Sequence, residues 1–101
     1  MNARLIYKQR QYIDERRFAE IVIWQVSVPV APSVHPYKYR LAYVADGQCV
    51  LRFDNERGKG DHYHLHGQEV PYRFSTLDAL LDDFWSLVAK TEASKLWIQP
   101  S

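Results

Sequence analysis

The sequence of 101 residues contains one cysteine, Cys49, so it cannot form an internal disulfide. It also lacks a long hydrophobic run. The longest uncharged stretch, residues 21–37, is interrupted by proline, glutamine, serine and histidine, which excludes a membrane-spanning helix there. Residues 1–17 carry five cations and no apolar run, so we expect no secretory signal. These absences favour a cytoplasmic protein.

A strong charge of either sign is also missing, since 13 cationic and 12 acidic residues give a net charge of +1. The distribution is uneven. Residues 1–75 hold eleven cations and eight acids, whereas residues 76–101 hold two and four. Such a bias suffices for a local phosphate site but is too weak for tight sequence-independent binding of DNA. Ordinary solvated surface charges explain the same counts.

Almost half of the chain, 47%, is hydrophobic, which is typical of a globular domain. A chain of this length forms one domain with a thin core. Residues 18–28 are rich in β-branched and aromatic side chains and predict a central strand. The pair Asp46-Gly47 predicts a type I′ turn between strands at 37–45 and 48–54.

With that turn, the expected register places Tyr43 opposite Val50 and Arg40 opposite Phe53. Two more strands are expected, one at residues 62–66 and the next at residues 69–74. A small N-terminal hairpin is expected within residues 1–17, formed by 5–8 and 11–13.

The end of the chain has a helical pattern. Ser75 is suited to the N-cap, and Asp78 completes a capping box. Apolar residues then recur at helical spacing and predict a helix over 75–91 that packs on the sheet: Leu77, Leu80, Leu81, Phe84 and Val88. The predicted fold is therefore α+β, an antiparallel sheet of four to six strands over residues 18–74 and the N-terminal hairpin, with one C-terminal helix across it.

A glycine-rich loop, residues 55–60, separates two of these strands. Glycine accepts left-handed backbone angles, so the N–H groups around Arg57 and Lys59 could converge on an anion. The loop is not a nucleotide-binding P-loop, because a histidine-rich strand follows it instead of a helix. A plain connection with solvated charges is the alternative.

The histidines at 62, 64 and 66 alternate, so a strand would project them from one face. Imidazole titrates near neutrality, and His62 and His64 could bracket a phosphate as proton donor and acceptor, with Arg57 and Lys59 stabilising the charge. This is the arrangement of metal-independent RNA cleavage, with the ribose 2′-OH as nucleophile. The candidate substrate-binding residues are Asp61, His66, Tyr72 and Arg73.

Three histidines on one face could instead bind zinc at His62, His64 and His66, with Asp61 in reserve. No Cys/His pair elsewhere completes such a site, so no cofactor is expected. A solvent-facing histidine row without catalytic function is the third interpretation.

The motif Asn-x-x-Gly-Lys-Gly-Asp-His-x-His occupies residues 55–64, and further similarity lies at 39–43, 52–56, 71–74 and 80–85. Over residues 18–90 the chain resembles the TumE family of small prokaryotic toxins of toxin–antitoxin modules. The resemblance implies a helix-turn-helix antitoxin as partner. RNA cleavage is inferred from the His/Arg/Lys cluster and from the frequency with which such toxins attack RNA. The alternatives are a non-enzymatic binder of nucleic acid or protein and a metal-dependent phosphodiesterase.

Overall fold

A computed structural model describes residues 3–97, and side chains within residues 3–93. It contains six strands and one helix in this order: β1 (Ala3–Tyr12), β2 (Arg17–Val26), β3 (Tyr37–Ala45), β4 (Gln48–Glu56), β5 (Gly60–Leu65), β6 (Gln68–Pro71) and α1 (Leu77–Trp97). The strands pair in sequence order as one antiparallel sheet. The predicted α+β fold is confirmed.

The N-terminal segment is a single strand, so the predicted small hairpin within residues 1–17 is wrong. β1 runs for 10 residues and pairs with β2. The turn comes later, where Oδ1 of Asp14 accepts the N–H groups of Arg16 and Arg17 at 2.9 and 3.0 Å. The chain between residues 8 and 11 has no glycine, proline or asparagine to form a turn.

The turn between β3 and β4 has the predicted type, with positive φ angles of 51° at Asp46 and 77° at Gly47. The predicted register is wrong by one residue. Tyr43 pairs with Leu51, and Arg40 with Asp54, because the register shifts beyond Tyr43. The shift directs Leu51 into the core, where it is fully buried.

β5 ends one residue earlier than predicted. His66 and Gly67 have φ angles of 50° and 81° and form the turn to β6. His66 is therefore exposed in a turn and is not the third member of a histidine row on the strand. β6 covers residues 68–71, shorter than the predicted 69–74 at its C-terminal end.

The helix covers one face of the sheet. Thr76, and not Ser75, caps it, because the Thr76 hydroxyl accepts the N–H of Ala79 at 3.0 Å. The apolar side of α1 and the covered face of the sheet form the core, which includes Leu80, Phe84, Val88, Leu41, Tyr43, Leu51 and Phe53. Leu77 and Leu81 are only half-buried. Within residues 3–97, no helix is long and apolar enough to cross a membrane.

Candidate functional site

The face of the sheet opposite α1 is here called the open face. Strand pairing aligns its side chains in rows across the sheet. One row contains Lys8, Val22, Arg40, Asp54, His62 and Pro71. The next contains Arg10, Glu20, Ala42, Arg52, His64 and Glu69. The two rows place both strand histidines beside charged side chains of β4 and β6.

His62 is almost fully enclosed, with 2% of its surface exposed. Its Nδ1 lies 2.9 Å from the carbonyl oxygen of Gly60. Its Nε2 lies 2.8 Å from Oδ1 of Asp54 and 3.7 Å from a carboxylate oxygen of Glu56. The Gly60 carbonyl thus orients the imidazole, and the Asp54 carboxylate faces its other ring nitrogen.

His64 lies on the same face, as the alternation predicts, and its ring packs edge-on to His62 with centroids 5.0 Å apart. Its side chain is more accessible, at 26% exposed. Nε2 of His64 lies 3.7 Å from Glu69, whose carboxylate accepts a hydrogen bond of 3.2 Å from Lys59. That hydrogen bond lowers the pKa of Glu69 below its ordinary value. Lys59 therefore reaches the histidines through Glu69.

Three charged residues of the site were missing from the sequence-based prediction: Arg52, Asp54 and Glu69. Asp54 is directly opposite His62, and Nε of Arg52 lies 3.1 Å from Oδ2 of Asp54. The alternation of Arg52, Asp54 and Glu56 along β4 is a visible signal, since it places polar side chains on one face of a predicted strand. We call Arg52, Asp54, His62, His64 and Glu69 the histidine cluster.

Two predicted cations are not joined to this cluster. Arg57 lies in the glycine loop and Arg73 follows β6, and both are exposed. Among the described residues, neither makes a hydrogen bond or ion pair to the histidine cluster. The loop also uses two of its own N–H groups. Gly58 donates to Ala31 at 2.8 Å and Lys59 donates to Glu56 at 3.0 Å, so these donors are not free for an anion.

Asp61 and Tyr72 face the other side of the sheet. Asp61 accepts hydrogen bonds from Ser33 at 2.5 Å, Tyr39 at 2.6 Å and His35 at 2.7 Å. Burial opposes ionisation of Asp61, but these donors hold its pKa below the ordinary value. The Tyr72 hydroxyl donates to Asp83 of α1 at 2.6 Å, and burial raises the pKa of Tyr72.

The asparagine and glycines of the motif have structural contacts. Asn55 is fully buried and accepts the N–H of Tyr39 at 3.1 Å, while its amide donates to the carbonyl of Tyr37 at 2.8 Å. A Cβ at Gly60 would lie 3.1 Å from Cγ of Pro32. The Asn55 hydrogen bonds join the end of β4 to the start of β3, and the close approach of Gly60 to Pro32 places the connection between β2 and β3 against the start of the histidine strand.

Comparison with known proteins identifies the family. The model of a family described as Toxin TumE matches residues 2–92. The chain belongs to the TumE toxin family. No curated protein and no solved structure gives a significant match. Membership implies that this TumE-family chain is the toxin of a toxin–antitoxin system and has an antitoxin partner.

The matched region of this TumE-family chain contains the histidine cluster and all six strands. Within the cluster, Asp54, His62 and His64 each offer one potential ligand atom, and these atoms lie within 4.8 Å of one another. Two imidazoles and a carboxylate can move protons or hold a metal ion. The guanidinium of Arg52 adds a positive charge beside them.

Proposed function

We propose that this toxin cleaves RNA on its open face, at the histidine cluster. The observation that supports the proposal is the adjacency of His62 and His64, with rings 5.0 Å apart, on the face that α1 leaves free. Imidazoles titrate near neutral pH and can move protons in phosphoryl transfer. RNA supplies its own nucleophile, the ribose 2′-OH.

The two histidines differ in accessibility, and this difference divides their roles. The His64 side chain is 26% exposed although its Nε2 is buried, so Nδ1 of His64 is the nitrogen that exchanges a proton with substrate. His62 is held between Gly60 and Asp54, and it positions and polarises the site. Arg52, 3.1 Å from Asp54, stabilises negative charge on the phosphate, and Lys59 contributes when substrate displaces Glu69.

RNA reaches the cluster along the neighbouring strands. A groove of about 250 Å³ lies beside Val22, Trp24, Lys38, Tyr39 and Arg40. Trp24 is 38% exposed and can stack on a base, while Lys38 and Arg40 offer positive charge to the backbone. Arg40 is opposite Asp54, so the groove leads directly to the histidine cluster.

The experiment is cleavage of defined single-stranded RNAs by the purified toxin. His64→Gln should lower the rate by about 100-fold or more, the usual effect of losing one acid–base group. His66→Gln is the matched control, since His66 lies in the exposed turn after the same strand, and should retain the wild-type rate. If a His62/His64 double variant retains full toxicity in cells, the toxin acts as a non-enzymatic binder and cleavage is rejected.

The partner in this proposal is a helix-turn-helix antitoxin that binds the open face in the cytoplasm. Lys38 and Arg40 line the groove on this face, and their positive charge supports contact with an acidic antitoxin segment. Co-expression of the neighbouring antitoxin should restore growth, and the two proteins should co-purify. Arg40→Glu should weaken the complex, whereas Lys90→Glu, an exposed change on the helix, should not. A neighbouring protein that neither binds nor protects contradicts this part.

A further inference from the structure

We infer that Asp54, His62 and His64 form a binding site for one divalent transition-metal ion of the Zn²⁺ class. The ligand atoms are one carboxylate oxygen and one imidazole nitrogen from each histidine, all within 4.8 Å of one another. They come from two paired strands, β4 and β5, so the backbone fixes their relative positions. The inference concerns the same side chains as the proposed reaction site but does not depend on RNA as substrate.

The first argument is the tautomer of His62. Its Nδ1 lies 2.9 Å from the carbonyl oxygen of Gly60, which can only accept a hydrogen bond. Nδ1 therefore carries a proton, and Nε2 is the nitrogen that faces Asp54 and can offer a lone pair to a metal ion. A carbonyl behind the distal nitrogen is the usual outer contact of a metal-binding histidine, because it orients the ring and increases its basicity.

The second argument is the contact in front of that ring. Oδ1 of Asp54 lies 2.8 Å from Nε2 of His62, so two electron-rich atoms meet inside the protein. Within residues 3–93, these two atoms and Nε2 of His64 are buried without a hydrogen bond of acceptable geometry. Such buried polar atoms are costly unless a positive charge lies between them. A proton on His62 or a metal ion can supply that charge.

A metal ion satisfies more of these atoms than a proton does. A proton on Nε2 of His62 leaves Nε2 of His64 without a hydrogen bond, whereas one metal ion can bind all three ligand atoms. Two imidazoles and one carboxylate are a common ligand set for catalytic zinc, with the fourth position left to water or substrate. Tetrahedral ligands about 2.0–2.1 Å from zinc are about 3.3 Å apart. Oδ1 of Asp54 and Nε2 of His62 are 2.8 Å apart, and all three ligand atoms lie within 4.8 Å of one another. Metal binding therefore requires small side-chain rotations that separate this pair and adjust the position of His64.

Cations and carboxylates around the site fit this assignment. Arg52 contacts the second oxygen of Asp54 at 3.1 Å and leaves Oδ1 for the ion. Glu56 and Glu69 each lie 3.7 Å from one histidine Nε2 and add negative charge near a divalent cation. When bound, the ion supplies Lewis-acid chemistry at its open position.

The test is titration of the metal-stripped full chain with Zn²⁺ by calorimetry at neutral pH. We expect one ion per chain in the wild type. His64→Gln should reduce the affinity at least about 100-fold, more than the loss of an outer-shell contact usually does. His66→Gln and Cys49→Ser should bind as the wild type does, since both residues are exposed outside the cluster.

The choice of variant and a second measurement distinguish loss of metal binding from loss of folding. His64 is half-buried and its substitution leaves Asp54 and His62 in place, so the fold should persist in circular dichroism. Co²⁺ should give the visible absorption of a tetrahedral site in the wild type and lose it in His64→Gln. Weak, non-stoichiometric binding, or binding that His64→Gln leaves unchanged, overturns the inference. RNA cleavage without a metal site rejects only this inference, whereas a metal site without RNA cleavage rejects only the proposed function.

Discussion

The carboxylate of Asp61 accepts a hydrogen bond of 2.6 Å from the hydroxyl of Tyr39, on the side of the sheet opposite the histidine cluster. The next residue, His62, faces the open side and meets Asp54. Adjacent motif residues therefore have different functions, because successive strand residues point to opposite faces. Asn55 and Asp61 hold the fold together, while Asp54 and His62 contribute to the candidate site.

Acid should destabilise the protein partly through Asp61. Its folded pKa lies below the ordinary value of 3.8, so the folded state binds fewer protons than the unfolded state near that pH. The stabilisation is complete above the ordinary value and is lost as the pH falls through the folded pKa. In urea unfolding from pH 7 to pH 2.5, Asp61→Asn should start less stable and lose less on acidification than the wild type.

The control for this experiment is Asp82→Asn, on the exposed surface of α1. It should follow the wild-type pH profile. The Arg17 side chain lowers the pKa of Asp14 to about 2, so Asp14 also makes the protein less stable in acid. This contribution is the same in the wild type and in both variants. An Asp61→Asn profile parallel to the wild type would show that Asp61 does not couple folding to pH.

Removing the Asn55 side chain should destabilise the fold strongly. Asn55→Ala leaves the N–H of Tyr39 and the carbonyl of Tyr37 without their side-chain partner. Each buried unsatisfied group costs about 1–3 kcal/mol, so the two together should lower the free energy of unfolding by about 2–6 kcal/mol. Gln48→Ala, at an exposed site of the same strand, should change it by less than about 0.5 kcal/mol. Equal effects of the two variants would contradict the structural role of Asn55.

Gly60 and Gly47 form a matched pair for testing the contact with Pro32. Both have a φ angle of 77°, so alanine is strained by about 1–2 kcal/mol at either site. Only at Gly60 would the new Cβ meet another residue, Cγ of Pro32 at 3.1 Å. Gly60→Ala should therefore lower the thermal midpoint more than Gly47→Ala. Identical shifts would show that the Pro32 connection moves away without cost.

Two neighbouring leucines of α1 should differ in their contribution to stability. Leu80 is fully buried, and Leu80→Ala should cost about 2–5 kcal/mol in chemical denaturation. Leu81 is half-buried at the margin of the core, so Leu81→Ala should cost clearly less. If Leu81→Ala lost more stability than Leu80→Ala, then Leu81 and not Leu80 would be the residue packed against the sheet, which would contradict the structure.

The features that the sequence predicts depend on the conformational preferences of neighbouring residues. Asp46-Gly47 predicts its turn because only a few residue types adopt two successive positive φ angles. The same preference places His66-Gly67 in a turn, although the alternation of histidines suggested a longer strand. Similarly, Thr76 and Ser75 are both suitable N-cap residues, and the structure shows that Thr76 accepts the capping hydrogen bond.

The sequence by itself determined the α+β architecture, the TumE resemblance and the common face of His62 and His64, because strand alternation and helical periodicity are local properties. Tertiary structure decided the partners of those histidines. The one-residue shift between β3 and β4 places Asp54 beside Arg40, and the pairing of β4 with β5 places Asp54 against His62. The register of the strands depends on which side chains are buried beneath the helix, here Leu51 and Phe53. Those contacts form only when elements that are distant in the sequence pack together.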